Sequence, residues 1–429
     1  MSADETPAPS VAPAVLRQAA LVFSASLFLN VGGFIFHAMA SRYLGVDRYG
    51  QLYALISACT DAALPVMLLS PVIARFAAEF AALHDESHMR AMAADVARLF
   101  GIIGAIGFAL SILFAVPAGA FLHVPAWSVP MVGLTAATLL MSMSLRAIAQ
   151  GTQAFGAYAG SLVAEGTFKV VVLGAFIALG FGLAGSMLGF FGGVFAGFLL
   201  IGFLCVRRYA NVPARAIRYD WKRIALSGAG AAALTVAMTL VGTADVLVVK
   251  HFFDAQQAGL YSAASLGGKI MMYFVGFIPL VLLPQATDRH VRGERTRYTL
   301  FAALGLFSVV AVFVIIKVKF YGIVLLHALV GRAFDAANGL LVSYTLAMLF
   351  LALMNLLASY GIATHRLAFA VPLLVGTAAT LLSMLFFHAS LAQVVAVLTI
   401  GMAATVSAVA IAVIWQGFRS TRRGPVSAI

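Results

Sequence analysis

Eight ionisable side chains lie in or at the ends of long apolar stretches, and chemistry could reside there. Asp61, Glu165, Lys169, Asp245 and Lys269 fall within such stretches; Arg42, Arg146 and Lys250 fall near their ends. A charge deep in hydrocarbon costs about 2.5–3.5 kcal/mol on insertion scales, so it is aimed at protein or water and is functional by default. Glu165 and Lys169 are four residues apart and share a helical face. Two readings stay open for them: an ion pair that lets both charges enter the membrane, or a cation-sensitive switch in a cavity wall. Asp61 and Lys269 are candidates for a coupling acid and an anion-binding cation. Asp245 is a further acid, or the partner of Lys250 in a salt bridge at the rim. Arg146 either reaches to headgroups along its apolar stem or enters a cavity.

The elements that must position these groups follow from composition. The 429 residues are 63% hydrophobic and 10% charged, with mean hydropathy +1.03. A soluble domain is about a quarter charged, so too little polar surface is present for one. A membrane β-barrel alternates in short segments, whereas the apolar stretches here are continuous. About 20 apolar residues cross a bilayer as helix, which predicts an all-α polytopic membrane protein with twelve spans. They fall at 15–41, 49–72, 95–116, 126–149, 157–180, 182–206, 222–249, 258–283, 298–316, 332–358, 367–388 and 392–417. The expected organisation is a disordered tail at 1–14, a six-helix lobe at 15–207 and a basic linker at 208–221. A second six-helix lobe at 222–417 and a basic tail at 418–429 follow.

Charge sets the orientation. Of 27 Lys and Arg residues, nineteen fall on the side of the termini, including Arg207, Arg208, Arg215, Arg218, Lys222 and Arg223, and a second group at Arg289, Arg292, Arg295 and Arg297. Six fall opposite: Arg42, Arg48, Lys250, Lys317, Lys319 and Arg332. Basic loops stay cytoplasmic, so both termini are expected in the cytoplasm. The net +12 then reflects attraction to an anionic leaflet, with no nucleic acid among the expected partners. The first residues lack a signal peptide's basic start.

The halves also match one another. A shift of 208 residues lays Arg42 on Lys250, Tyr53 on Tyr261, Asp61 on Lys269 and Pro71 on Pro279. Six spans per half keeps the repeats in one orientation, packed about an axis along the membrane normal with a central cavity. Asp61 and Lys269 would then face each other across it. Pro65, Pro71, Pro279 and Pro284 permit bends in the second and eighth spans, and the Gly-rich 180–197 stretch permits close helix contact. Cys59 and Cys205 have no metal-ligand spacing. No phosphate loop, HExxH or clustered Cys/His is present, so no cofactor and no metal are expected, and no loop is large enough for a catalytic domain.

Four segments carry a resemblance. ASRYLGVDRYGQLYAL (40–55) resembles the first-hairpin motif of the polysaccharide transporter family, the flippases of lipid-linked oligosaccharides. AQGTQAFGAYAGSLVAEGTFKVVVLGAFIALGFGLAG (149–185) is similar to that family's fourth-to-sixth span region. ADVLVVKHFFDAQQAGLYSAAS (244–265) resembles its seventh-span motif, and VGRAFDAANGLL (330–341) its entry to the tenth span. The resemblance implies the fold of the multidrug/oligosaccharidyl-lipid/polysaccharide (MOP) exporter superfamily, two six-helix lobes around a cavity. It implies translocation of a polyprenyl-diphosphate-linked oligosaccharide across the bacterial inner membrane, without enzymatic activity, with polysaccharide polymerase and glycosyltransferases as functional partners. Its cationic cavity could map onto Arg42, Arg146, Lys250 and Lys269. The sequence departs in lacking a dense Arg cluster within its spans.

In this reading basic side chains attract the diphosphate. Asn30, His37, Tyr53, Tyr158, Tyr261, Tyr273 and Asn355 meet the sugars, while the lipid tail stays in the bilayer. Competing readings are a cation-coupled multidrug exporter of the same superfamily, drawing on Asp61, Glu165 and Asp245, and a lipid-linked peptidoglycan precursor flippase. A major-facilitator transporter lacks its signature loop here. From other classes come a membrane glycosyl-polymer enzyme and a non-transporting component of a polysaccharide export complex.

Overall fold

A computed structural model describes residues 12–215, 217, 221–276, 278, 279, 282, 286, 289, 296–364 and 367–420. The expected tail up to residue 11, Arg218, Pro284, Arg292, Arg295 and the tail beyond 420 lie outside the described residues. Those described form thirteen α-helices and no strand: α1 Ala12–Ala62, α2 Leu64–Ala82, α3 Glu86–Leu113, α4 Ala115–Phe121, α5 Ser128–Gly151, α6 Phe155–Ala178, α7 Gly182–Tyr209, α8 Trp221–Phe252, α9 Ala255–Tyr273, α10 Arg297–Leu329, α11 Asn338–Ala363, α12 Ala370–Phe386 and α13 Leu391–Ser420. Eleven helical segments among them are long and apolar enough to cross a membrane. The chain is a multi-pass membrane protein, and the expected spans fall on helix, except that the eighth (258–283) is helical in α9 only to Tyr273, α9 is not among the eleven, and 277, 280, 281 and 283 lie outside the described residues.

Four further features differ from the sequence reading. The first two spans have no loop between them. α1 runs through both and kinks at Gly45 (φ 71°, ψ −179°), a left-handed position that a residue without a Cβ occupies freely. The second span then breaks at Ala63, next to Pro65, and continues as α2, because proline withholds a backbone donor. The ninth span does not stop at 316: α10 extends to Leu329. Lys317 and Lys319 therefore project from a continuous helix, exposed, with Lys317 Nζ 5.5 Å from the Phe313 ring centre and 5.0 Å from that of Tyr321. The tenth span starts at Asn338, after a 3-10 turn over Arg332–Ala337.

One end of the bundle, called distal here, gathers Gly45, the α4–α5 connection, Gly182, the end of α8, the end of α10 and the α12–α13 connection. Gln51 donates to the His123 carbonyl, the Gly182 N–H to the Tyr43 hydroxyl, Arg42 to the end of α10, and His251 to the Phe121 carbonyl. The first half's core lies among α1–α7. The second half's core, built from α8–α13, also takes in Tyr49, Tyr53 and Ala54 of α1. The segment of α1 after Gly45 is thus the helix through which the halves meet, packed along α8 and α9.

Within the first half, α7 lies tight against α6 along its glycines. A Cβ at Gly189 would stand 2.9 Å from Leu173, and one at Gly193 2.7 Å from the Glu165 carbonyl oxygen. Small residues let membrane helices approach this closely, and here they press α7 onto the charged stripe of α6.

Candidate functional site

The charges form two groups. The first is inside the N-terminal half. Glu165 on α6 receives Arg146 Nη1 from α5 at 2.8 Å through Oε2, and Lys169 Nζ at 3.2 Å through Oε1. Arg146 also donates through Nε to Ser161 Oγ at 2.8 Å and through Nη2 to the Ser161 carbonyl at 3.1 Å. All three ionic side chains are more than nine-tenths buried. Lys169 Nζ additionally lies 4.7 Å from the Phe190 ring centre. The i, i+4 pair read from sequence is therefore a triad with one net positive charge, and Arg146 completes it. Neither a headgroup nor solvent is needed to satisfy Arg146.

The second group joins the halves. Lys269 of α9 donates to the Tyr53 hydroxyl of α1 at 3.2 Å. The Tyr53 hydroxyl lies 3.5 Å from Ser265 Oγ, which is 2.9 Å from the Tyr344 hydroxyl. Tyr344 donates to Asp245 Oδ2 at 2.6 Å, and Tyr261 donates to the same oxygen at 2.9 Å. Asp245 is fully buried, and its other oxygen, Oδ1, has no partner. A carboxylate and an ammonium are thus linked through three hydroxyls, one contributed by the opposite half. Asp245 sits inside this chain and does not meet Lys250 at a rim.

Asp61 and Lys269 lie at similar depths, about 21–24 Å of helix from the distal turns. They do not form an ion pair. Asp61 accepts from Thr243 of α8, and one turn away Thr239 Oγ1 approaches Met67 Sδ at 3.6 Å. Both Asp61 and Lys269 are partly exposed residues. Among the described residues, the contact of Thr239 with Met67 is the cross-half hydrogen bond lying furthest toward the termini.

His37 of α1 stands beside this join. Its Nδ1 is 3.2 Å from the Tyr49 hydroxyl, and its ring packs on those of Tyr49 and Tyr53. The charges of both Lys169 and Lys269 act on it. Of the other aromatic and amide candidates, Tyr261 is wholly buried on Asp245, whereas Tyr273 and Asn30 are exposed.

The remaining two cations lie distally. Arg42 is exposed, its guanidinium spent on carbonyls at the end of α10. Lys250 is 1% exposed and makes no hydrogen bond or ion pair among the described residues. Of the four cations expected at an anion site, only Lys269 meets the chain of hydroxyls between the halves. Sequence reasoning missed Ser265, Thr243 and Tyr344. Only the 208-residue match of Tyr53 with Tyr261 hinted at a hydroxyl system.

No protein-family model matches the chain, and no curated protein matches it. Solved structures do. An inward-facing multidrug resistance MATE family transporter of the MOP superfamily superposes with TM-score 0.70 at 14% identity, over 96% of this chain and 100% of that one. The lipid II flippase MurJ in an inward closed conformation gives 0.69 at 13% identity, over 94% and 87%. An outward-facing MATE transporter gives 0.56 at 14%, over 94% and 96%. Two bundles joined through α1, α8 and α9, matched along nearly the whole chain, give this protein the fold of the MOP superfamily transporters.

Proposed function

We propose that the chain is a flippase that moves a polyprenyl-diphosphate-linked oligosaccharide across the bacterial inner membrane for surface polysaccharide synthesis, by alternating access between its two lobes. The termini face the cytoplasm, in keeping with the excess of basic residues on their side, and the distal end faces outward. Among the described residues the cross-half hydrogen bonds lie between the distal end and Met67, which accords with an inward-facing state. The higher TM-score to the inward-facing relative than to the outward-facing one accords with this.

The observation that carries the reading is Lys269. It is a partly exposed residue with no carboxylate partner among the described residues, held by the Tyr53 hydroxyl of the opposite half. An anionic phosphate meets a point charge flanked by hydroxyls, while the lipid tail remains in the bilayer. Likeness to a lipid II flippase fold supports a lipid-borne cargo.

The test is flipping of a fluorescent polyprenyl-diphosphate sugar in vesicles containing the purified protein. Lys269→Gln is expected to abolish it, and in cells to leave lipid-linked sugar on the inner leaflet. Wild-type flipping by a folded Lys269→Gln protein would refute the reading. One observation favours a second reading, a cation-coupled multidrug exporter: Asp61 is an equally accessible acid at the same join. Efflux of a cationic dye that is lost in Asp61→Asn but retained in Lys269→Gln would select it.

A further inference from the structure

The distal end carries two cross-half contacts related by the internal repeat. In the first, Arg42 of the N-terminal half extends its guanidinium over the last turn of α10. Nη2 donates to the carbonyls of His327 at 2.8 Å and Ala328 at 3.0 Å, while Nη1 donates to the Ala38 carbonyl of its own helix at 2.8 Å. In the second, His251 of the C-terminal half donates through Nδ1 to the carbonyl of Phe121, the last residue of α4, at 2.8 Å. Its ring stacks on that of Phe121, with centres 3.9 Å apart and planes at 15°. The 208-residue shift carries Arg42 onto Lys250, the neighbour of His251. It carries Ala328 onto Ala120, the neighbour of Phe121. Each half thus sends a basic side chain from the distal end of its first long helix to the carbonyl end of the other half's third span.

Those carbonyls need donors. The last four of a helix have no partner within it, and they carry the negative end of the helix dipole. A guanidinium satisfies two of them with charge-assisted bonds. Between the two contacts the backbones themselves touch: a Cβ on Gly50 would stand 2.7 Å from the Gly259 nitrogen, and one on Gly259 would overlap the Val46 carbonyl. Lys250 is sealed in beside them. As a residue it is 1% exposed and makes no hydrogen bond among the described residues, while the charges of Asp47 and Asp254 act on it. Packing a lysine into a closed contact without a hydrogen bond is costly, so this residue opposes closure while the two contacts support it.

We infer that Arg42 and His251 are paired latches that hold the distal gate shut, and that buried Lys250 is the counter-force that lets the gate open. On this inference, which rests on the alternating-access reading, Arg42 acts on the conformational equilibrium and not on cargo in the closed state. A ligand or residue shifts a two-state equilibrium only through a difference between the states. All three residues have one, because opening removes the latches' acceptors and returns Lys250 to water.

The test measures distances without substrate, so its outcome is independent of any flipping assay. Spin labels are placed on cysteines at exposed distal positions of the two halves, Val116 and Phe386, in an otherwise cysteine-free chain in lipid nanodiscs. Pulsed electron resonance then reports the closed and open populations. Arg42→Gln and His251→Phe are each expected to raise the open-to-closed ratio by on the order of tenfold, the effect of losing one strong hydrogen bond. The double variant is expected to raise it further, Arg42→Lys less than Arg42→Gln, and Lys250→Met to lower it. Unchanged distance distributions in Arg42→Gln and His251→Phe, or a rise in Lys250→Met, overturn the inference. Should Arg42→Gln fail to fold, Arg42→Lys and His251→Phe decide it on the same readout.

Discussion

Lys269 Nζ and the Tyr53 hydroxyl are 3.2 Å apart, on helices that belong to different halves of the repeat. The ammonium also lies 5.1 Å from the centre of the Tyr53 ring. Tyr53 therefore orients Lys269, and its position depends on how the halves sit. Tyr53→Phe keeps the ring and removes the acceptor. It is expected to slow flipping at least tenfold while shifting the melting temperature little, because the ring remains packed among Tyr49 and His37. Parallel transport and thermal-unfolding measurements check this; a large stability loss with normal residual transport would assign Tyr53 a packing role only.

Asp245 holds the far end of the same chain. Asp245→Ala strands the Tyr261 hydroxyl without its acceptor and leaves the Tyr344 hydroxyl to Ser265 alone, at about 1–3 kcal/mol for a stranded group. Adding Tyr261→Phe and Tyr344→Phe to Asp245→Ala removes the stranded donors and is expected to restore part of the stability. Detergent-solubilised melting curves of the single and triple variants give the comparison.

The triad makes an asymmetric prediction. Glu165→Ala leaves Arg146 and Lys169 buried without a carboxylate, and removing one partner of a buried ionic group costs about 3–5 kcal/mol. Replacing Arg146, Glu165 and Lys169 together by Met, Leu and Met is expected to be far milder, since no charge is then abandoned. Folded yield and melting temperature separate the two cases. Equal losses in both would mean that the triad supports the fold through something other than charge pairing.

The α6–α7 contact depends on missing side chains. A Cβ at Gly197 would stand 2.6 Å from Arg146 Nη2 and 2.9 Å from the Ser161 carbonyl. Gly197→Val is expected to push α7 off α6 and destabilise by about 1–3 kcal/mol, the usual range for overpacking. Gly33→Val on α1, where a Cβ meets nothing within 4 Å, serves as the control and is expected to melt as wild type.

Outside the membrane, Asp85 caps α3. It accepts from the His88 backbone N–H at 3.0 Å and from the His88 ring at 2.5 Å, and these bonds hold its carboxyl below the usual carboxylate value of 3.8. A depressed folded-state value means that the cap's stabilisation is complete above that usual value. It disappears as pH falls through the lower one. Acid titration of unfolding is expected to show the difference between wild type and Asp85→Ala vanish only at the acid end of that range.

Residue order alone determined much of this protein. Twelve apolar stretches of spanning length dictate helices, because no other open structure satisfies its backbone in lipid. The shared face of Glu165 and Lys169 follows from helical periodicity, and the match of Tyr53 with Tyr261 pointed to a repeat. Local chemistry also set Gly45 as a turn and Pro65 as a break. Partners distant in sequence were settled only by tertiary structure. Arg146 reaches Glu165 across nineteen residues, Lys269 reaches Tyr53 across 216, and Arg42 reaches the end of α10 across 285 and 286. Periodicity says which face a charge occupies on its own helix; it does not say which helix packs there. Whether a buried cation meets a carboxylate, a tyrosine, a helix end or nothing at all depends on that packing, and so does the difference between a cargo site at Lys269 and a gate at Arg42.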